Sequence, residues 1–261
     1  MRVNGIDIGY DDKGDGLPVL LVHGHPFDRS MWRPQVERLS RWCRVVAPDL
    51  RGYGGTTVVP GTTPLGVFAD DLVGLLDALG LERVVACGLS MGGQVVMELH
   101  RAHPERVRAL ILADTFAEAE TPAGREARHE AAERVLREGM GPYADEVLDR
   151  MIAPRNVRDL PGVAEHVLGM MRGTAPEGAA AALRGRAERP DYLDSLSRAA
   201  VPALVVVGEE DGYTPVDVAR RLYRTIPGAA LAVIPDAAHL PNLERPEEFT
   251  DVVERFLLSL R

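Results

Sequence analysis

At 261 residues the chain can bury a large core within one ordinary domain, and its 46% hydrophobic content excludes a disordered or low-complexity protein. Acidic residues outnumber basic ones, 39 Asp plus Glu against 30 Lys plus Arg, and the formal charge of -9 argues against a nucleic-acid backbone or an anionic membrane as partner. Cys43 and Cys87 sit beside apolar runs; two cysteines are too few for a secreted disulfide scaffold, so buried thiols are expected.

The opening residues Met1 to Asp7 alternate polar with apolar side chains and carry no apolar signal segment. No run of about 18 apolar residues follows that would span a membrane. A reducing cytoplasm is the expected compartment.

Four short apolar runs stand out in the first half: Pro18 to Val22 before His23, Arg44 to Pro48 before Asp49, Arg83 to Ala86 before Cys87, and Ala109 to Ala113 before Asp114. Each is too short for a buried helix and rich in Val, Leu or Ile, as in strands covered on both faces. Between them, Pro64 to Leu79 places Leu65, Phe68, Leu72, Leu75, Leu76 and Leu79 at helical spacing, and Met91 to His100 reads as a second helix. The second half repeats the pattern with a strand at Ala203 to Val207, a helix from about Pro215 to Ile226, a strand at Ala230 to Ile234 and a closing amphipathic helix from Glu247 to Leu260. Such alternation predicts a mostly parallel central sheet with helices on both faces.

From about Phe116 to Leu196 the pattern changes. This stretch is rich in Ala, Glu and Arg, is broken by Pro142, Pro154, Pro161, Pro176 and Pro190, and contains no convincing strand. The reading is a helical cap over residues 116–196, inserted into a core made of residues 1–115 and 197–261. Four methionines fall in the cap (Met140, Met151, Met170, Met171), mostly as helix packing.

Gly88-Leu89-Ser90-Met91-Gly92 follows a strand and opens a helix. A turn this tight forces the serine into a strained conformation and leaves no room for side chains two residues to either side, so glycine is needed there. The hydroxyl then projects into a cleft, beside the free N–H groups at a helix start.

With that elbow, other segments make the chain resemble the α/β-hydrolase superfamily over nearly its whole length. His23-Gly24-His25-Pro26 is similar to the family's oxyanion loop, Asp49-Leu50-Arg51-Gly52-Tyr53-Gly54 to the turn after the next strand, Val207-Gly208-Glu209-Glu210-Asp211 to the acid loop, and Ala238-His239-Leu240 with Glu244-Arg245-Pro246 to the histidine loop. Small esterases, enol-lactonases and cofactor-free perhydrolases share this look. Ala238 replaces the glycine that usually precedes the histidine. Serine as nucleophile departs from the epoxide hydrolases and haloalkane dehalogenases, which use Asp, and the His-Gly-Gly-Pro-Gly loop of proline iminopeptidases is absent.

Roles follow from the resemblance and from position. A serine hydroxyl needs a base within reach. Of the seven histidines, His100 and His103 lie at the far end of the helix from Ser90, His129 and His166 lie in the cap, and His23 resembles a structural histidine under the oxyanion loop. His239 follows the last strand, in the order Ser, acid, His expected of this fold. Asp211 is the expected acid, with Asp114 as rival because some relatives carry the acid there. The backbone N–H groups of His25 and Met91 are the expected oxyanion hole. Phe27, Met140 and Met170 are taken as substrate-binding candidates, which points to short or medium acyl groups without strong charge.

His23-Gly24-His25-Pro26-Phe27-Asp28 superficially suggests a metal site, but Phe27 stands where an Asp ligand is required and no further His completes the set, so no metal is assigned. Asp28 is expected to cap a helix or brace the loop, and Asp49 and Arg51 to hold their turn. The expected activity is cofactor-free cleavage of a carboxylic ester or small lactone by a monomer or homodimer. The alternatives are a carbon-carbon bond hydrolase, a non-hydrolytic lyase or a ligand-binding receptor on the same scaffold.

Overall fold

The apolar runs become strands because both of their faces are covered. A computed structural model describes residues 1–260. Its strands are β1 (Arg2–Val3), β2 (Ile6–Asp7), β3 (Tyr10–Lys13), β4 (Leu17–Val22), β5 (Cys43–Pro48), β6 (Val84–Leu89), β7 (Val107–Ala113), β8 (Ala203–Gly208) and β9 (Ala230–Ile234). β1 and β2 form a small ribbon; the rest form one sheet in the order β3-β5-β4-β6-β7-β8-β9, with only β3 antiparallel to its neighbour.

The helices of the core are α1 (Arg33–Leu39), α2 (Leu65–Ala78) and α3 (Met91–Ala102), and those between β7 and β8 are α4 (Pro122–Glu138), α5 (Met140–Met151), α6 (Pro154–Asp159), α7 (Pro161–Gly173), α8 (Pro176–Ala187) and α9 (Leu193–Ser197). The chain closes with α10 (Val216–Thr225), α11 (Pro241–Glu244) and α12 (Pro246–Leu258). Among the described residues, none of these helices is long and apolar enough to cross a membrane.

Side-chain alternation along the strands divides the interior. Leu20, Val22, Val84, Ala86, Val205 and Val207 pack with Phe68, Leu72 and Leu76 of α2 and with Val95, Val96 and Leu99 of α3. Val19, Leu21, Val85, Cys87, Leu204 and Val206 face the other way, onto Val36 and Leu39 of α1 and Phe249, Val253 and Leu257 of α12. Period-two burial on both faces is what a parallel sheet between two helix layers requires.

Not every element is legible in the sequence. β3 pairs through Tyr10↔Pro48 and Lys13↔Val45, yet its residues Tyr-Asp-Asp-Lys carry no apolar run because it is an edge strand. The helical segment that Asp28 was expected to cap does follow it and leads into the short α1, whose Val36 and Leu39 give too narrow an apolar stripe to reveal its extent. The strand expected at Arg83 to Ala86 extends to Leu89, since Cys87, Gly88 and Leu89 pair with Ile111, Leu112 and Ala113.

The segment between β7 and β8 contains no strand among the described residues, and α8 anchors it to the core by glycine contacts. A Cβ on Gly178 would strike the backbone of Gly52, which itself sits at φ +85°, and one on Gly185 would strike the Thr63 carbonyl. Thr63 N–H also donates to Ala181 O at 2.9 Å. Gly185→Ala must therefore push α8 off this seat, and unfolding in urea should show a loss of about 1–3 kcal/mol. An unchanged midpoint would mean that the helix does not rest there.

Candidate active site

In an open parallel sheet, the crevice beyond the carboxyl ends of the strands is where loops of different origin converge. Here β5 lies on one side of β4 and β6 on the other, and the pairs Val22↔Gly88, Leu89↔Ala113 and Gly208↔Ile234 bring the strand ends to one edge. The loops leaving that edge carry His25, Ser90, Asp114, Asp211 and His239.

Ser90 joins β6 directly to α3 with φ 56° and ψ -116°, a left-handed geometry that a non-glycine residue adopts only under constraint. A side chain at Gly88 would enter the backbone of Gly92 and Gly93, and one at Gly92 the carbonyls of Val22 and His23. Gly24 is less crowded but still tight: a Cβ there would lie 3.1 Å from Leu89 O and 3.2 Å from the Ser90 Cβ. The serine is clamped from behind by Ser90 N–H donating to Ala113 O at 2.9 Å and by the Thr115 hydroxyl donating to Ser90 O at 2.7 Å.

Opposite the serine, a cavity of about 230 Å³ is lined by Ser90, His239, His25, Asp114, Phe116, Arg128, Tyr143, Met151, Leu183, Arg186, Tyr213 and Thr214. His239 Nδ1 lies 2.8 Å from Asp211 Oδ2. Beside an ionised carboxylate Nδ1 carries the proton, which leaves Nε2 as the acceptor. The Asp211 carboxylate also accepts from Tyr213 N–H at 2.7 Å, Thr214 N–H at 3.1 Å and the Thr214 hydroxyl. Burial alone would raise its pKa, but the electrostatic pull of the His239 ring and the hydrogen bonds from His239 and Thr214 outweigh burial and hold it far below the usual carboxylate range.

Asp114 behaves oppositely. It is 1% exposed, its Oδ1 accepts from Gly208 N–H at 2.8 Å, and its Oδ2 has no donor. Burial first, and then the nearby Asp211 carboxylate, push its pKa well above the usual range. Two buried carboxylates this close cannot both ionise, so Asp114 is the neutral member. Ligand atoms of Asp114, Asp211 and His239 fall within 4.8 Å of one another, a spacing that a cation could use; the Asp211 lone pairs are already directed at N–H and O–H donors.

Two supports were not foreseen. Glu244, 2% exposed, accepts from Ala238 N–H at 2.8 Å, from Ala153 N–H at 2.8 Å and from the Asn156 side-chain amide at 2.7 Å. It thereby ties the loop before His239 to α6. Tyr213 packs its ring 5.0 Å from that of His239 and carries the Arg150 guanidinium 3.9 Å from its ring centre. The sequence offered a hint for Glu244, in the Glu-Arg-Pro run after the histidine, and none for Tyr213 beyond its place next to the acid.

Apart from His25, which lines the cavity, the histidines described next fall away from it. His23 is buried, with Nδ1 2.8 Å from Gly24 O and Nε2 accepting from Leu50 N–H at 2.8 Å, so it braces the loop. His103 meets Asp70, exposed His129 lies by Glu188, and His166 meets Ser30. Asp28 accepts from Ser30 N–H at 2.8 Å, Asp49 holds Arg29 and Gly55, and Arg51 forms a two-pronged ion pair with Asp71.

Of the substrate-binding candidates, Phe27, Met140 and Met170 do not line the cavity. Phe27 is fully buried among core side chains, Met140 packs with Val135, Ala179 and Leu183, and Met170 packs with the layer that includes Val147 and Val167. Met151, one of the cap methionines taken as packing, is the one that reaches it. Helical periodicity marks which face of a helix is apolar but not which neighbour covers it. The uncharged acyl pocket expected from these residues is corrected by Arg128 and Arg186, which stand in its wall.

A serine held at a strand-to-helix elbow, sharing a crevice with a histidine bonded to a buried aspartate, resembles the nucleophile-elbow arrangement of α/β-hydrolases. Residues 19–252 match the model of the Alpha/beta hydrolase family, and the chain belongs to that family. It is 30% identical over 234 residues to 3-oxoadipate enol-lactonase 1 of Acinetobacter baylyi, covering 90% of this chain and 86% of that protein. Among solved structures, a thermophilic esterase from Thermogutta terrifontis, crystallised with malate bound, superposes with a TM-score of 0.96 at 44% identity, covering 98% of this chain and 94% of that one. The enol-lactonase of Burkholderia xenovorans superposes with a TM-score of 0.91 at 32% identity, covering 98% of each chain.

The neutral Asp114 has a consequence for stability. The folded state keeps a proton that the unfolded chain releases above about pH 4, so this group's contribution falls as pH rises through that region. Asp114→Asn keeps the oxygen that accepts from Gly208 and removes the titration. Relative to wild type, the variant should gain stability between about pH 4 and pH 7 in urea titrations. A constant difference across that window would show that Asp114 is ionised in the folded protein.

Proposed function

We propose that the protein hydrolyses carboxylic esters, small lactones among them, through an acyl-enzyme on Ser90. The observation that carries this reading is the meeting of Ser90 and His239 on one cavity wall, with His239 Nδ1 occupied by Asp211. The enol-lactonase and esterase relatives agree with it.

In this reaction His239 Nε2 takes the proton of Ser90 as Oγ attacks the ester carbonyl. Asp211 stays ionised and stabilises the imidazolium that forms, the role its depressed pKa suits. Charge developing on the carbonyl oxygen is met by backbone N–H groups of Met91 and His25. The first N–H groups of a helix have no acceptor within it, and Met91 is the first residue of α3. The imidazolium then returns its proton to the departing alkoxide, which for a lactone remains tethered to the acyl group. Water, deprotonated by His239, cleaves the acyl-enzyme and frees Ser90.

Residues 116–196 act in this scheme as the lid that sets substrate size. α5 supplies Tyr143 and Met151, and α8 supplies Leu183 and Arg186, to the same cavity as the nucleophile. At about 230 Å³ that cavity is small beside the roughly 300–1,000 Å³ of common ligand sites, in keeping with a compact substrate.

A serine-directed phosphonate should label Ser90 stoichiometrically, and Ser90→Ala should lose at least about three decades of kcat with p-nitrophenyl acetate. Near-wild-type turnover in that variant would reject the assignment. The two aspartates separate in the same assay. Asp211→Asn forces the wrong imidazole tautomer and should cost roughly 10³–10⁴-fold in kcat, whereas Asp114→Asn should stay within about threefold of wild type. The opposite ranking would move the acid to Asp114.

A further inference from the structure

The polar end of the cavity contains more positive charge than its own carboxylates neutralise. Arg186 is 7% exposed, and its Nε donates to Gln94 Oε1 at 3.1 Å. Among the described residues no acidic side chain forms an ion pair with it. The cations facing it are Arg128 and Arg189, and its other polar neighbours are the phenols of Tyr53 and Tyr143. Glu120 is the carboxylate within this group: Arg128 Nε donates to it, and Arg189 Nη1 donates to it at 2.8 Å. Although burial raises its pKa, those two arginines pull it down to about 2, so its charge is already committed.

A buried guanidinium without a counter-charge is costly in a low-dielectric site, and an anionic ligand would supply the missing charge. Burial and the two neighbouring arginines together depress its pKa. The position is also specific. Gln94 is fully buried on the first turn of α3, and its N–H donates to Ser90 O at 3.2 Å. The Arg186 guanidinium is therefore fixed one helical turn from the nucleophile. Beside it, His25 receives or gives one hydrogen bond, Nδ1 to the Tyr53 hydroxyl at 2.7 Å, and its buried Nε2 has no partner although the residue lines the cavity.

We infer that Arg186, assisted by Arg128, forms a carboxylate subsite, so that the preferred substrates are anionic esters or lactones carrying a free carboxylate a few atoms from the scissile carbonyl. A guanidinium presents paired N–H donors that match a carboxylate, which gives orientation as well as attraction. In the free enzyme the cavity end is charged and incompletely bonded; in the complex it is neutralised and the reacting carbonyl is held at Ser90. The inference rests on the acyl-transfer reading of the same site for its kinetic consequence, but not for the binding itself.

Two substrate pairs distinguish the half of the ester that carries the charge. Hydrolysis of monomethyl glutarate is compared with methyl pentanoate for the acyl side, and acetoxyacetate with isobutyl acetate for the alcohol side, all followed by pH-stat. In at least one pair the anionic member should have a kcat/KM about tenfold or more above its neutral counterpart. Arg186→Met should lower that ratio by about tenfold or more, and Arg186→Lys should recover part of it. Glutarate should bind calorimetrically to Ser90→Ala and not to the Ser90→Ala, Arg186→Met double variant.

If neutral esters are turned over through Ser90 with no preference for the anion in either pair, the subsite is refuted while the nucleophile stands. If glutarate binds through Arg186 but no ester is cleaved, the subsite stands and the acyl-transfer reading fails. Equal losses on charged and neutral esters in both Arg186 variants would reduce Arg186 to a packing residue and overturn the proposal.

Discussion

The whole site depends on one backbone constraint, a serine held in left-handed geometry where a buried strand becomes a helix. Such a conformation costs on the order of 1–3 kcal/mol and persists only if its surroundings permit no alternative. Here β6 is paired on both sides up to the turn, and the carbonyls of Val22 and His23 close over Gly92. Without glycine at 88 and 92 the loops could not approach closely enough to hold Ser90 at the crevice. Function and packing therefore make the same demand on this stretch of chain.

Around that fixed point the protein sorts its charges by their neighbours. Asp211 gains four hydrogen-bond donors and stays ionised, while Asp114, across the same strand ends, gains one and keeps its proton. The arginines opposite them are sorted too: Arg128 and Arg189 share Glu120, and Arg186 is left to Gln94. The resulting cavity combines an ionised acid, a hydrogen-bonded imidazole and an excess of positive charge. That polarity suits a reaction in which an oxyanion develops. It also runs against the protein's overall charge of -9, so the local field at the site is not what composition suggests.

The loops at the strand ends and the helices between β7 and β8 are joined rather than merely stacked. Glu244 accepts from both the histidine loop and α6, and Thr174 donates from the end of α7 to Pro26 O at 3.0 Å. The segment between β7 and β8 is in this way bonded to the loops that carry His239 and His25.

The buried strands, their order along the chain, the elbow at Ser90 and the loops carrying Asp211 and His239 were readable because each is a local pattern. An apolar run of five or six residues, a glycine on either side of a serine, or a histidine after the last strand needs no knowledge of what lies across the molecule. The edge strand β3, with two aspartates and a lysine in four residues, was not readable, since only its pairing with β5 makes it a strand. Nor were the cavity walls. Phe27, Met140 and Met170 look like pocket residues and pack elsewhere, while Arg186 looks like an ordinary cap arginine and lies beside the serine. Sequence alone determined which residues could do the chemistry; the tertiary structure decided which of them face one another and which charges remain unpaired, because burial and electrostatic compensation are properties of neighbours brought together from distant parts of the chain.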